Sequence, residues 1–251
     1  MLSSIVLATL LAPKTLNILF LGNSHTANFN VPEMVGRLLE SPGKLQIKTG
    51  MRTAGFLEDF ARNQYVRTEI MSGRWNVLVL QGAKLSSSHR YEYDHSGSVE
   101  LAKLANTKGI KVGYFAEWPR KGWNESDWIM NQYRGIGKST STPVIAIPVA
   151  FDRYLARNPG ANMWSLDGNH SSITGAYLAS CTIALWIVDS KVQLTKWRPE
   201  GIDAKTAATL QSIAEATVSE KKGIESRHDT LVLGGICGRS NRHVCPWAVD
   251  L

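Results

Sequence analysis

Leu16-Asn17-Ile18-Leu19-Phe20-Leu21-Gly22-Asn23-Ser24-His25 is the stretch whose reading decides the fold. A compact apolar run, broken at once by Gly-Asn-Ser, reads as a β-strand that ends in a tight turn. Four further short apolar runs follow: Leu45–Thr49, Val77–Leu80, Lys111–Phe115 and Val144–Pro148. Between and after them lie helix-like stretches at Val31–Glu40, Ser98–Lys108, Asp127–Ile136 and Val149–Arg157. Ser172–Val188 is a strongly apolar helix, and Asp203–Lys221 carries Ala, Leu and Ile at helical spacing. Strands that alternate with helices in this way predict an α/β protein, a three-layer α/β/α sandwich around a parallel sheet of about five strands.

The 251 residues suit one sizeable domain, expected over 16–222, and are short for two. A formal net charge of +7 raises the question of nucleic acid, but Lys and Arg are scattered and no basic run is interleaved with aromatics. A solvated surface is the expectation, with no nucleic-acid partner. Residues 1–15 form a short apolar extension. It lacks the length to span a bilayer and resembles the apolar part of a secretory signal, although no positive charge precedes it. Stable membrane insertion is therefore not expected, and a secreted or periplasmic location is, with the cytoplasm as the alternative.

From 223 to 251 the chain is Gly-rich without periodicity and is read as an irregular tail. Cys237 and Cys245 within it suit a disulfide in an exported protein, while Cys181 reads as a buried apolar side chain. The cysteine spacing fits no zinc pattern, so neither metal nor cofactor is expected.

Two motifs carry chemistry. A serine at the carboxyl end of a parallel strand, as Ser24 is, sits where such sheets bind ligands, and Gly22 before it allows a sharp turn. Helix capping and phosphate binding are the competing readings of that loop. The second motif is Asp167-Gly168-Asn169-His170, immediately before the apolar helix. A carboxylate three residues from an imidazole is close enough to fix its tautomer and leave its other nitrogen free to take a proton. Capping again competes. Histidines such as His89 have no partner evident from the sequence. His25, beside Ser24, is the alternative base, set aside because adjacent side chains on a turn point apart.

Taken together, these residues resemble the SGNH (GDSL-type) hydrolases. Gly22-Asn23-Ser24 stands where that family has Gly-Asp-Ser, and Asp167 with His170 matches its Asp-x-x-His block. The resemblance implies Ser24 as nucleophile, His170 as base, Asp167 as its orienting partner and Asn23 as a structural residue. It also implies an oxyanion hole from the backbone of Ser24, the backbone of Gly55 and a side-chain amide. The Gly-x-Asn-Asp block is missing, and Gln81 of Val79-Leu80-Gln81 stands in its place, as in a variant branch. The implied activity is hydrolysis of carboxylic esters, short-chain or acetyl groups on carbohydrate. An O-acetyltransferase on the same scaffold and a non-catalytic glycan- or nucleotide-binding module are the rivals. Trp118, Trp123, Trp128 and Trp164 lie in segments near the carboxyl edge, as sugar-stacking platforms or as packing, and Arg120 and Lys121 stand beside them as contacts for an acidic sugar. The sequence leaves the oligomeric state open.

Overall fold

The computed structural model describes residues 14–41, 44–190 and 193–233. Residues up to Val218 form one compact unit, and a second begins at Ser219. The first unit is built on five strands: β1 (Lys14–Gly22), β2 (Leu45–Thr53), β3 (Val77–Leu80), β4 (Lys111–Phe115) and β5 (Val144–Ile145). All pair in parallel, in the order β2-β1-β3-β4-β5. The helices are α1 (Ser24–Ala27), α2 (Val31–Leu39), α3 (Leu57–Arg62), α4 (Gln64–Met71), α5 (Ser96–Asn106), α6 (Ser126–Gly137), α7 (Ile147–Arg157), α8 (Ile173–Ile187) and α9 (Ala204–Leu233).

Successive side chains of a strand face opposite sides, so the apolar run of β1 feeds two cores at once. Ile18 and Phe20 meet Val77, Val79 and the apolar faces of α2, α7, α8 and the early turns of α9. Leu19 and Leu21 meet Leu78, Leu80 and the helices α3, α4, α5 and α6. These four residues of β1 are fully buried. Burying each such side chain contributes roughly 1.5–3 kcal/mol, which makes β1 the structural axis of the domain. The three-layer α/β/α expectation is met.

Differences from the expected elements have local causes. The fifth strand stops at Ile145 because Ala146 and Ile147 turn into α7, with Pro148 in its first turn, where a missing N–H costs nothing. Helices α3 and α4 lie outside every expected segment: they are short, and polar residues interrupt their apolar positions. The irregular tail expected from Gly223 is corrected for residues 223–233, which continue α9. One glycine in a helix costs only about 1 kcal/mol, and the neighbouring Glu and Lys residues favour helix. The expected disulfide between Cys237 and Cys245 and the apolar extension before Lys14 fall outside the described residues. No helix among those described is long and apolar enough to cross a membrane.

The strand order reverses between β1 and β3, and a parallel sheet of this order opens a crevice at that point on its carboxyl edge. Leu21 is level with Leu80, so Gly22–Ser24 and Gln81 emerge side by side.

Candidate active site

Ser24 is exposed as the first residue of α1, and Asn23 caps that helix. The Asn23 side-chain oxygen accepts from the His25 N–H at 3.0 Å, and its Nδ2 donates to the Gly55 carbonyl at 3.2 Å. This one side chain therefore ties the loop after β1 to the loop after β2. The turn also needs a glycine at position 22. A Cβ there would lie 2.2 Å from Thr26 Oγ1 and 2.6 Å from Gln81 Oε1.

Asp167 and His170 arrive on a narrow loop between α7 and α8. It is closed by bridge pairing of Trp164 with Ser171 and by the Ser165 N–H donating to the His170 carbonyl at 2.8 Å. Gly168 turns this loop with φ +69°, a conformation glycine adopts without strain. Asp167 Oδ1 accepts the backbone N–H groups of Asn169 and His170, both at 2.9 Å. Oδ2 is left for His170 Nδ1 at 2.5 Å. Hydrogen bonds from the His170 ring and from those two backbone donors hold the carboxyl at a pKa of about 2. An ionised carboxylate only accepts, so Nδ1 carries the proton and Nε2 presents a lone pair. Ser24 Oγ lies 2.8 Å from that Nε2 and donates to it. The fold thus brings together the three side chains expected from the sequence, in hydrogen-bond sequence Ser24–His170–Asp167.

His25 is also at the site but makes no hydrogen bond to Ser24 Oγ among the described contacts. Its ring stacks 4.9 Å from that of His170 and 5.2 Å from Trp118. Burial, and then the charge that His170 would carry, lower its pKa to about 4. It is a neutral wall for the His170 imidazole. The unfolded chain binds a proton at His25 near pH 6.5, whereas the folded chain resists it down to about pH 4. This contribution to stability is full above pH 6.5 and is lost as the pH falls through that interval. Urea unfolding at pH 7 and pH 4.5 is expected to show a wild-type loss that exceeds that of His25→Gln by about 2 kcal/mol. Equal losses would mean that the ring titrates freely.

The residues expected as oxyanion donors are placed differently from one another. The backbone N–H groups of Ser24 and Gly55 donate to no acceptor among the described residues. Gln81, expected to offer its side-chain amide to the oxyanion, is buried and bound at both ends of that amide. Its Oε1 accepts from the Asn23 N–H and from Thr26 Oγ1, both at 2.8 Å. Those donors fix the amide orientation and turn Nε2 toward Glu117 Oε1 at 2.7 Å. The second Nε2 hydrogen has no acceptor among the described residues.

Glu117 was not identified as a site residue from the sequence beyond its place after β4. Its Oε1 also accepts the Gly82 N–H at 3.1 Å, and Oε2 accepts the Tyr133 hydroxyl at 2.6 Å. Burial raises its pKa above the ordinary carboxylate range against the pull of these donors. The chain Tyr133–Glu117–Gln81–Asn23 is a buried brace beneath the Ser24 turn. The only signal for it in the sequence is a Glu immediately after a strand at the binding edge.

The tryptophans divide. Trp118 is buried, stacks on Phe151 and donates to the Asn169 carbonyl at 2.8 Å, while Trp164 donates to the Pro119 carbonyl at 2.8 Å. Both support the loop that bears Asp167 and His170. Trp128 stacks on His89 at 3.8 Å, and among the described tryptophans only Trp123 stands out into solvent. His89, expected to lack a partner, has one in Glu125 Oε2 at 3.1 Å. No cluster of three or more potential metal-ligating side chains occurs among the described residues.

No known family model and no curated protein sequence matches the chain significantly. Solved structures do. A candidate SGNH hydrolase from Slackia heliotrinireducens superposes with a TM-score of 0.53 at 18% identity, covering 68% of this chain and 98% of that one. A DUF4886 family protein from Bacteroides uniformis gives 0.58 at 16% identity, covering 82% and 95%. A family 3 carbohydrate esterase from Clostridium thermocellum gives 0.52 at 15% identity, covering 70% and 97%. Likeness at this level of identity is likeness of fold, and the fold of this chain is that of the SGNH hydrolases.

Proposed function

We propose that the chain is a serine esterase that hydrolyses short acyl esters, acetyl groups on carbohydrate among them, through Ser24, His170 and Asp167. The observation that carries this reading is the 2.8 Å contact between Ser24 Oγ and a His170 Nε2 whose tautomer is set by Asp167. A carbohydrate esterase among proteins of the same fold supports the choice of substrate.

Ser24 Oγ attacks the ester carbonyl as its proton passes to His170 Nε2. The tetrahedral oxyanion takes hydrogen bonds from the Ser24 and Gly55 N–H groups and from the free Nε2 hydrogen of Gln81. As the C–O bond to the alcohol breaks, His170 returns the proton to the leaving oxygen, and an acyl-Ser24 intermediate remains. Water then attacks the acyl carbon, giving its proton to His170. Collapse releases the acid and reprotonates Ser24.

Replacing Gln81 with Ala removes the last of these donors and unseats the Asn23 turn. The expected loss in kcat is roughly a hundredfold or more, with a loss of stability of about 1–3 kcal/mol from the partners left unbonded. Activity within a few-fold of wild type would remove Gln81 from the site.

The reading is tested by a series of p-nitrophenyl esters from acetyl to decanoyl, wild type beside His170→Ala. Turnover of the short esters that vanishes in the variant supports it. Turnover that survives in the variant, or none in the wild type on any ester or on acetylated glycans, overturns it.

A further inference from the structure

Eight large apolar side chains are exposed among the described residues, and six of them occupy the loops around Ser24 and His170. Phe29 lies after β1, Phe56 after β2, Tyr91 and Tyr93 after β3, Trp123 after β4, and Leu166 immediately before Asp167. Singly exposed apolar residues are ordinary; their confinement to one edge of one sheet is not. Some are held there at a cost. Phe29 has φ +58°, a left-handed conformation that bulky side chains rarely take, and strain of this kind persists only where the surroundings enforce it. Asn30, also left-handed, accepts from the Glu33 N–H at the head of α2 and so fixes that backbone.

Trp123 is the largest of the six and is 55% exposed. Its indole is backed by Arg120, whose guanidinium carbon lies 4.1 Å from the ring centroid. Arg120 is in turn immobilised by Glu125, 4% exposed, at 2.7 Å, and it donates to the Ser87 carbonyl at 2.9 Å. The edge of the ring is flanked by His89 at 6.3 Å. With Arg120 over one face, the other is left as a flat, apolar platform. Its loop joins the turn that bears His170, because the Lys121 N–H donates to the Gly168 carbonyl at 2.8 Å.

We infer that this rim is a subsite for a glycan chain, with a pyranose ring stacked on Trp123 while its ester lies at Ser24. The chemistry favours a sugar over an acyl chain. The rim is not a continuous apolar channel: Lys84 lies over both Phe56 and Tyr93, Asn28 and Asn30 flank Phe29 in the chain, and Lys121 and Asn124 are chain neighbours of Trp123. A pyranose has an apolar face for the indole and hydroxyls at its edge for exposed polar neighbours such as Lys121 and Asn124, whereas a fatty chain matches the apolar face alone.

The inference rests on the esterase reading for where the ester lies, but glycan binding can be read without turnover. Wild type, Trp123→Ala and Phe29→Ala are compared on acetylated cello-, xylo- and chito-oligosaccharides and on p-nitrophenyl acetate. Binding of the deacetylated oligosaccharides is measured in parallel by calorimetry. For Trp123→Ala, the ratio of kcat/KM on the preferred acetylated oligosaccharide to that on p-nitrophenyl acetate is expected to fall about tenfold, through KM. Oligosaccharide binding should weaken by a similar factor. An unchanged ratio overturns the subsite while leaving the esterase reading in place. Absence of all ester hydrolysis with binding still lost in Trp123→Ala overturns the esterase reading alone. Absence of binding to every oligosaccharide by wild type overturns the subsite.

Discussion

Ser24→Ala is expected to lower kcat/KM for p-nitrophenyl acetate by at least about a thousandfold, with the fold unaltered. Among the described contacts the hydroxyl it removes is the only group on His170 Nε2, at 2.8 Å, and His25 next to it is packed against Trp118 with its proton affinity depressed. The residue is exposed, and its Oγ bonds only to His170 among the described contacts, so the thermal midpoint should stay close to that of wild type. What remains should be the modest acceleration that backbone donors give to attack by water. Activity above about a tenth of wild type would mean that another group does the chemistry.

Asp167→Asn should be nearly as severe, a loss in kcat of about a thousandfold or more, and for a geometric reason. The two carboxylate oxygens are not equivalent. Oδ1 faces two backbone N–H donors, so the amide oxygen of Asn must take that position. The amide nitrogen is then forced against His170 Nδ1, where the carboxylate now accepts at 2.5 Å. Two donors cannot face one another, so the imidazole shifts its proton to Nε2 and can no longer accept from Ser24. The variant should fold, bind substrate with little change in KM, and lose kcat. Turnover within tenfold of wild type would mean that His170 does not depend on Asp167 for its tautomer.

Both predictions rest on residues that were legible in the sequence, and the reason is local. Ser24 stands just past a strand end, and Asp167 and His170 share one short turn, so each motif could be picked out locally, while their assignment to one site came from the resemblance. The parallel sheet was legible for the same reason, since β1 and β3 are uninterrupted apolar runs. Long-range partnerships were not. That the Gln81 amide is bonded to Glu117, itself held by Tyr133, is not evident until the loop after β4 and α6 are brought to it, residues whose separation in sequence gives no sign of contact. His89 looks solitary until Glu125 and Trp128 close on it. The helices α3 and α4 were hidden because their stability comes from the layer they complete rather than from their own periodicity. Trp123 and Trp118 are alike in sequence, and only burial separates a solvent-facing platform from a supporting wall.

The central claim, that Ser24 is an activated nucleophile, is tested most directly by covalent labelling. Wild-type protein treated with a fluorophosphonate should gain one adduct, located by mass spectrometry on the peptide that contains Ser24, and lose esterase activity in proportion. His170→Ala should label far more slowly. An unlabelled protein, or an adduct on any residue other than Ser24, would contradict the claim.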